Sequence, residues 1–186
     1  MQKESIVLGV SGLIIGFLLG VLVGGKTMGG NVSRAPSAVQ NAAPMVNPAD
    51  LNARIAEMEK VVANDPKNLQ AWVTLGNDYY DANNPQKSVQ AYDKALALNP
   101  NDPNVLTDQG VMFRALGFFD KALANFEKAN KLNPQHLQSL YNMGIVQAVD
   151  MKQPAKARPI FEKVAQMAGS SELGNQAREM LQQLPR

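Results

Sequence analysis

A period of 34 residues constrains the fold of this chain more than any other feature of its sequence. The repeated positions are Gly76, Gly110 and Gly144; Pro66, Pro100 and Pro134; Trp72, Leu106 and Leu140; Tyr92 and Phe126; Ala95 and Ala129. A fixed period of this length indicates stacked supersecondary units, because one unit cannot bury its apolar face alone. The sequence therefore predicts a row of similar units that share a continuous core.

The residues within one period indicate that each unit is helical. Residues 72–79 place tryptophan, leucine, glycine and tyrosine at i, i+3, i+4 and i+7, which is one stripe of a helix. A glycine inside a helix costs about 1 kcal/mol relative to alanine, so Gly76 needs a structural reason. Close approach of a second helix supplies that reason, and the small residues Ala91 and Ala95 on the second helix permit it.

Prolines and their neighbours mark the helix boundaries. Asn84 and Asp102 each precede a proline, as an N-cap residue does when proline occupies the first turn, and Gln153 precedes a proline in the same way. Asparagine–proline pairs at 99–100 and 133–134 end the preceding helices, because a residue before proline avoids the helical region.

Single helices flank the repeats. Residues 50–63 resemble the second half of a repeat, and residues 171–184 form a last helix, with Ser170 or Ser171 as its cap. We therefore predict an all-α solenoid of eight helices: one extra helix, three pairs and one capping helix. The predicted repeats are residues 69–102, 103–136 and 137–170 of a domain that spans residues 48–186.

The repeats resemble the tetratricopeptide repeat family, in which each unit folds as two antiparallel helices. The first copy carries Trp72, Leu75, Gly76 and Tyr79, followed by Tyr92, Ala95 and Pro100. The second copy has Gln109 where the family prefers leucine, and the third has Gln147 in place of an aromatic residue. Ala157 and Phe161 stand one residue late in the third copy, so we expect an insertion in the turn at residues 151–153.

The first 47 residues have a different composition. Residues 5–25 contain no charged residue, and a helix of this length approaches the ~30 Å bilayer core. We predict a single membrane anchor in residues 1–25 and a flexible linker over residues 26–47. A cleaved signal peptide is the alternative, although its apolar region is usually ~7–15 residues. The short amino-terminal tail favours a signal anchor, with the repeats on the periplasmic side of a bacterial inner membrane.

Four glycines of the predicted anchor recur every four residues. Gly12, Gly16, Gly20 and Gly24 share one helix face, where two backbones can approach closely. This spacing favours a homo-oligomer formed through the anchor, or packing against a partner span. The alternative is that membrane helices simply tolerate glycine.

Composition excludes several classes of site. The chain has no cysteine, which rules out disulfides, thiolate zinc sites and cysteine nucleophiles. Residues 48–186 carry 15 basic and 15 acidic residues, a balance that argues against nucleic acid as a partner. The single histidine, His136, lies in a turn, where a loop or capping role is expected. We predict no catalytic residue, no metal, no cofactor and no enzymatic activity.

The first helix of each repeat has a second face that lies outside the predicted packing stripe. In the tetratricopeptide repeat family the matching positions line a concave peptide-binding groove. We therefore predict a peptide-binding groove formed by Gln70, Val73, Asn77, Tyr80, Asn104, Thr107, Val111, Arg114, Tyr141 and Ile145. The apolar members favour binding a protein or peptide segment, and the alternative is that neighbouring helices cover this face. Arg114 is the one cation of the set and could meet a carboxylate.

Two functions follow from these features. The first is a membrane-anchored interaction module. Residues 64–80 and 169–181 resemble the tetratricopeptide-repeat subunits of bacterial cytochrome c maturation. That resemblance implies an adaptor or chaperone that holds the C-terminal segment of an apocytochrome. The second is an assembly scaffold of a secretion or pilus machine, with a self-associating anchor.

Overall fold

The computed structural model describes residues 48–185, which fold as eight α-helices and one π-helical turn. The helices are α1 (Pro48–Asn64), α2 (Leu69–Asp81), α3 (Pro85–Leu98), α4 (Pro103–Ala115), α5 (Phe119–Leu132), α6 (Leu137–Ile145), α7 (Pro154–Ala168) and α8 (Glu172–Gln183), and the π-helical turn is Val146–Asp150. The prediction of eight helices is confirmed for this part of the chain. The predicted anchor at residues 1–25 with its four glycines, and the predicted linker at residues 26–47, lie outside the described residues. None of the helices between residues 48 and 185 is both long enough and apolar enough to span a bilayer.

Polar side chains cap the helices where the sequence predicts. The Oδ1 atom of Asn84 accepts a hydrogen bond from the backbone N–H of Lys87 at 3.2 Å. Asp102 accepts two backbone N–H groups at the start of α4, and Ser171 caps α8. His136 caps α6, since its Nδ1 atom accepts the backbone N–H of Ser139 at 3.3 Å. These contacts satisfy N–H groups that a helix leaves without partners at its first turn.

The repeated glycines make room for an aromatic ring. A Cβ atom added to Gly76 would lie 2.4 Å from the ring of Tyr92, and one added to Gly110 would lie 2.5 Å from the ring of Phe126. Gly144 stands in the same relation to Phe161. The close approach expected at these glycines is therefore present, but the group that packs against them is the aromatic ring of the second helix. Ala91 and Ala95, the small residues expected to permit the approach, are buried on α3.

The third repeat contains one additional residue in a π-helical turn. Gly144 and Phe161 are separated by 17 positions, whereas the matching residues of the first two repeats are separated by 16. The backbone N–H of Met151 donates to the carbonyl oxygen of Val146 at 2.9 Å, an i→i+5 bond that accommodates the extra residue. The insertion thus lies at Val146–Asp150, and the expectation that it lies at residues 151–153 was wrong by a few positions. The π turn takes up the extra residue, and Gly144 still lies opposite Phe161.

The final helix closes the apolar end of the third repeat. Ala177 and Leu184 are buried in one cluster with Phe161 and Val164 of α7, and Leu173 packs against the same cluster. At the opposite end, Val62 of α1 is buried with Leu75 of α2. Both flanking helices therefore cover core residues that the terminal repeats would otherwise leave in water.

Candidate functional site

The first helices of the three repeats form one row of the domain. α2 contacts α4, and α4 contacts α6, while α3 and α5 each pack mainly against the first helix on either side. Elements on the inside of a curved stack lie closer together than those outside, so this row is the concave side. We call the solvent-facing side of α2, α4 and α6 the inner face.

The ten residues predicted to form the groove differ widely in exposure. Those exposed to solvent are Gln70, Asn77, Tyr80 and Asn104, and those half-buried are Val73, Val111, Arg114, Tyr141 and Ile145. Tyr80 is 37% exposed, which makes it a large hydrophobic residue open to solvent. Val73 and Val111 also pack against the core cluster that contains Tyr92. The apolar members thus form a floor that is partly shared with the core.

Three members of the set are already engaged within the domain. Thr107 is only 2% exposed, and its Oγ1 donates to the carbonyl oxygen of Pro103 at 2.7 Å, so it offers little surface to a ligand. The guanidinium of Arg114 donates to both carboxylate oxygens of Asp150, at 2.5 and 3.2 Å. The carboxylate expected to meet Arg114 is therefore an internal one. Asn104 contacts the Nε2 atom of His136 at 3.0 Å.

A cavity of about 380 Å³ opens between α2, α3 and α4. It is lined by Asn77, Tyr80, Asp81, Tyr92 and Asp108. Tyr92 is 1% exposed and donates its phenolic hydrogen to Oδ1 of Asn77 at 2.8 Å. Two of the predicted residues, Asn77 and Tyr80, therefore come together here, and the other three were not predicted to be part of the site.

Burial sets the protonation chemistry of the cavity. Loss of solvent raises the pKa of the Asp108 carboxyl to about 6, and the negative charge of Asp102 adds to this shift. Burial also raises the pKa of Tyr80, with smaller contributions from the charges of Asp108 and Asp81. The pKa of Tyr92 is raised by burial and then by the charge of Asp108. Both phenols therefore stay protonated at neutral pH, while the carboxyl of Asp108 titrates close to it.

Sequence reasoning missed Asp108 although the pattern contained a signal for it. Asn104, Asp108 and Val111 stand at i, i+4 and i+7, which is a stripe of α4. The side chain at the centre of that stripe is acidic and faces α2. The 34-residue period predicts only a packing role for Tyr92, yet its hydroxyl reaches the cavity because its ring crosses Gly76.

Within residues 48–185 no group of three or more histidine, cysteine or carboxylate side chains is placed to hold a metal ion. The polar groups of the cavity are instead two carboxyls, two phenols and one amide. Such a set can accept hydrogen bonds from a cationic or amide-bearing ligand.

Comparison with known proteins identifies the repeat. Residues 69–102 match the model of the tetratricopeptide repeat family, TPR_2. Human protein O-mannosyl-transferase TMTC1 is 32% identical over 117 residues, which cover 61% of this chain and 13% of the human protein. Small glutamine-rich tetratricopeptide repeat-containing protein 2 of Mycosarcoma maydis is 29% identical over 69 residues, covering 37% of this chain and 20% of the fungal protein. The chain thus matches only a small part of the length of these relatives.

Solved structures share the fold at low sequence identity. The domain is similar to the crystal structure of MamA, with a TM-score of 0.60 and 19% identity, covering 73% of this chain and 87% of that one. It is also similar to the PilF protein of Pseudomonas aeruginosa, with a TM-score of 0.58 and 20% identity, covering 74% of this chain and 70% of that one. At these identities the likeness shows the fold alone.

Proposed function

We propose, from the premise that this chain is a tetratricopeptide-repeat protein, that it binds a segment of a partner protein along the inner face. Tetratricopeptide repeats imply a protein–protein interaction module. The observation that carries the proposal is the open cavity beside Tyr80, an aromatic side chain that is 37% exposed in the described domain. A concave site with aromatic walls and a few polar groups is the usual form of a ligand pocket.

The packing of the inner face supports this proposal over simple coverage by neighbouring helices. Val73 and Val111 pack partly against the core, so they define the shape of the inner face but offer little accessible surface to a ligand. Tyr80 and Asn77 remain exposed on the same helix, one turn apart. An extended or helical segment could therefore lay apolar side chains on the floor and place a polar group in the cavity.

Replacing Tyr80 with alanine is expected to weaken peptide binding by about tenfold or more, because an exposed aromatic side chain beside a pocket is a typical binding hot spot. The full chain would be screened against displayed random peptides and against C-terminal peptides of apocytochromes, and affinities of the selected peptides would be measured by calorimetry. Phe118→Ala is the matched control, since Phe118 is 50% exposed but lines a separate groove near α3 and α5.

Two results would contradict the proposed surface. Equal affinities of the Tyr80→Ala variant and the unaltered chain would remove the inner face from the site. A loss confined to Phe118→Ala would transfer the site to the groove that contains Phe118. Capture of apocytochrome peptides in particular would support the narrower role in cytochrome c maturation, which rests on the sequence resemblance of residues 64–80 and 169–181.

We also propose that residues 1–25 anchor the repeats on the periplasmic side of a bacterial inner membrane. The charge-free run at residues 5–25 supports the anchor. A C-terminal alkaline phosphatase fusion is expected to be active, whereas a β-galactosidase fusion at the same position is expected to be inactive. The reverse pattern of activities would place the repeats in the cytoplasm.

The alternative function is a scaffold whose anchor self-associates. The glycine face formed by Gly12, Gly16, Gly20 and Gly24 favours it. Assembly that survives Tyr80→Ala but is lost in Gly16→Ile would support the scaffold over the peptide-binding module.

A further inference from the structure

We propose that the cavity between α2, α3 and α4 receives a basic side chain, lysine or arginine, of the segment that binds the inner face. This inference rests on the proposed function and specifies the chemistry of its ligand. It reverses the expectation that a cation of this face meets a carboxylate of the partner.

The lining of the cavity is complementary to a cation. Two of its five residues are aspartates and none is basic, so the ionised site carries negative charge without an internal counter-ion. The exposed ring of Tyr80 can cover the aliphatic stem of a lysine or arginine and interact with its charge through its face, while the buried Tyr92 offers only its hydroxyl edge. A volume of about 380 Å³ is within the range of pockets that hold small organic groups.

The carboxylate of Asp108 lacks a partner of the kind that two other aspartates withdrawn from solvent have. The fully buried Asp78 pairs with Arg54, and the half-buried Asp150 pairs with Arg114. That carboxylate has no side-chain hydrogen bond or ion pair with any other residue between 48 and 185, although the residue is half-buried and burial raises its pKa. Because a desolvated carboxylate is costly without a partner, an incoming cation gains more here than at an exposed acid.

Anionic ligands fit the face poorly. Arg114 is occupied by Asp150 through two hydrogen bonds, and the cavity beside Tyr80 would repel a carboxylate. A partner with an acidic terminus would therefore find Arg114 already paired and would meet two aspartates at the cavity.

The test uses the full chain and random-sequence peptides with one fixed central residue: arginine, lysine, citrulline, glutamine or glutamate. Citrulline keeps the shape of arginine without its charge. We expect arginine and lysine pools to bind about tenfold more tightly than citrulline and glutamate pools, the scale of one well-placed charge pair. Asp108→Asn is expected to abolish this preference, and Asp120→Asn, an exposed acid of α5, is expected to leave it unchanged.

The Asp108→Asn variant is expected to fold. A carboxyl whose pKa is higher in the folded state than in the unfolded state contributes stability at low pH and loses it as pH rises through the folded value. Ionised Asp108 therefore opposes folding at pH 7, and an uncharged asparagine removes that cost. Circular dichroism of the variant checks this point, and Asp81→Asn provides a second variant of the same cavity.

The charge preference is also expected to fall about fivefold between pH 7 and pH 5, from about ninefold to about twofold, since a carboxyl with a pKa of about 6 is roughly one-tenth ionised at pH 5. The other titratable groups around Asp108 are Asp102 at the start of its helix, Tyr80 and Asp81 on α2, Tyr92 on α3, and His136 at the start of α6, which contacts Asn104. A fall that persists in Asp108→Asn would overturn the assignment to Asp108.

The possible outcomes separate this inference from the proposed function. Peptides that bind with equal affinity whatever the fixed residue, but lose affinity in Tyr80→Ala, would overturn the basic-side-chain inference alone. Absence of binding by every pool would overturn both. A preference for glutamate would establish an acidic ligand and contradict the charge complementarity of the cavity.

Discussion

Replacing Phe126 with alanine is expected to lower the free energy of unfolding by about 3–5 kcal/mol, the range for deletion of a fully buried aromatic side chain. Phe126 is 0% exposed and lies in one cluster with Leu123 of its own helix and Val146 of the following repeat. Its ring also rests on Gly110 of α4. The cavity left by alanine would therefore adjoin both the second repeat and the third.

Because Phe126 lies in the middle repeat, its loss is expected to destabilise the repeats on both sides. Each repeat of a solenoid contacts only its neighbours, so the middle repeat transmits stability between the two ends. We expect urea denaturation of the Phe126→Ala variant, followed by circular dichroism, to show a lower midpoint and a broader transition than the unaltered chain. Leu132→Ala on the same helix is the control, because Leu132 is 41% exposed and its truncation removes little buried surface. Similar losses in the two variants would contradict the packing of Phe126.

This core could be foreseen because repetition reveals which positions share an environment. The spacing of Gly110 and Phe126 equals that of Gly76 and Tyr92, so a contact required in one repeat is required in the next. The helical period also shows which residues lie on the same face of a helix. Neither pattern gives the distance between two helices, however. The sequence therefore does not show that the group opposite each glycine is an aromatic ring.

The cavity could be predicted only in part because it is a tertiary feature. The sequence predicts Tyr80 and Asn77 as site residues because they lie on α2 outside the stripe of residues that packs in the core. Asp108 contributes from a different helix, 28 positions beyond Tyr80, and its importance depends on how much solvent it loses. Residue type does not show which aspartates of an amphipathic helix are buried and which are exposed, so the burial of Asp108 could not be predicted.

The third repeat illustrates a further limit. The late position of Phe161 showed that one residue had been inserted, but a loop and a π turn accommodate an insertion equally well at the level of spacing. The structure places Asp150 on the π turn, where it pairs with Arg114 of the preceding repeat. The insertion thereby removes the cation that the sequence had suggested for ligand binding.

The pairing of Arg54 with Asp78 was not foreseen, because its partners are 24 positions apart on α1 and α2. The carboxyl of Asp78 is 0% exposed, and its Oδ2 atom has no hydrogen-bond partner within the described residues. The guanidinium of Arg54, on a side chain that is 49% exposed, is therefore the principal charge that faces this carboxylate. The pair attaches the extra helix to the first repeat, beside the cluster that contains Val62 and Leu75.

Replacing Arg54 with methionine is expected to cost about 3–5 kcal/mol of stability at neutral pH, because removing one partner leaves a buried carboxylate without compensation. The double variant Arg54→Met with Asp78→Ala is expected to be more stable than Arg54→Met alone, since deleting the orphaned charge also deletes its desolvation cost. Urea denaturation of the two single variants, the double variant and the unaltered chain gives the coupling free energy directly. Lys60→Met on the exposed side of α1 is the control for loss of a cation and is expected to change stability little. A cost for Arg54→Met as small as that of an exposed ion pair, with no recovery in the double variant, would mean that solvent rather than Arg54 compensates the charge of Asp78.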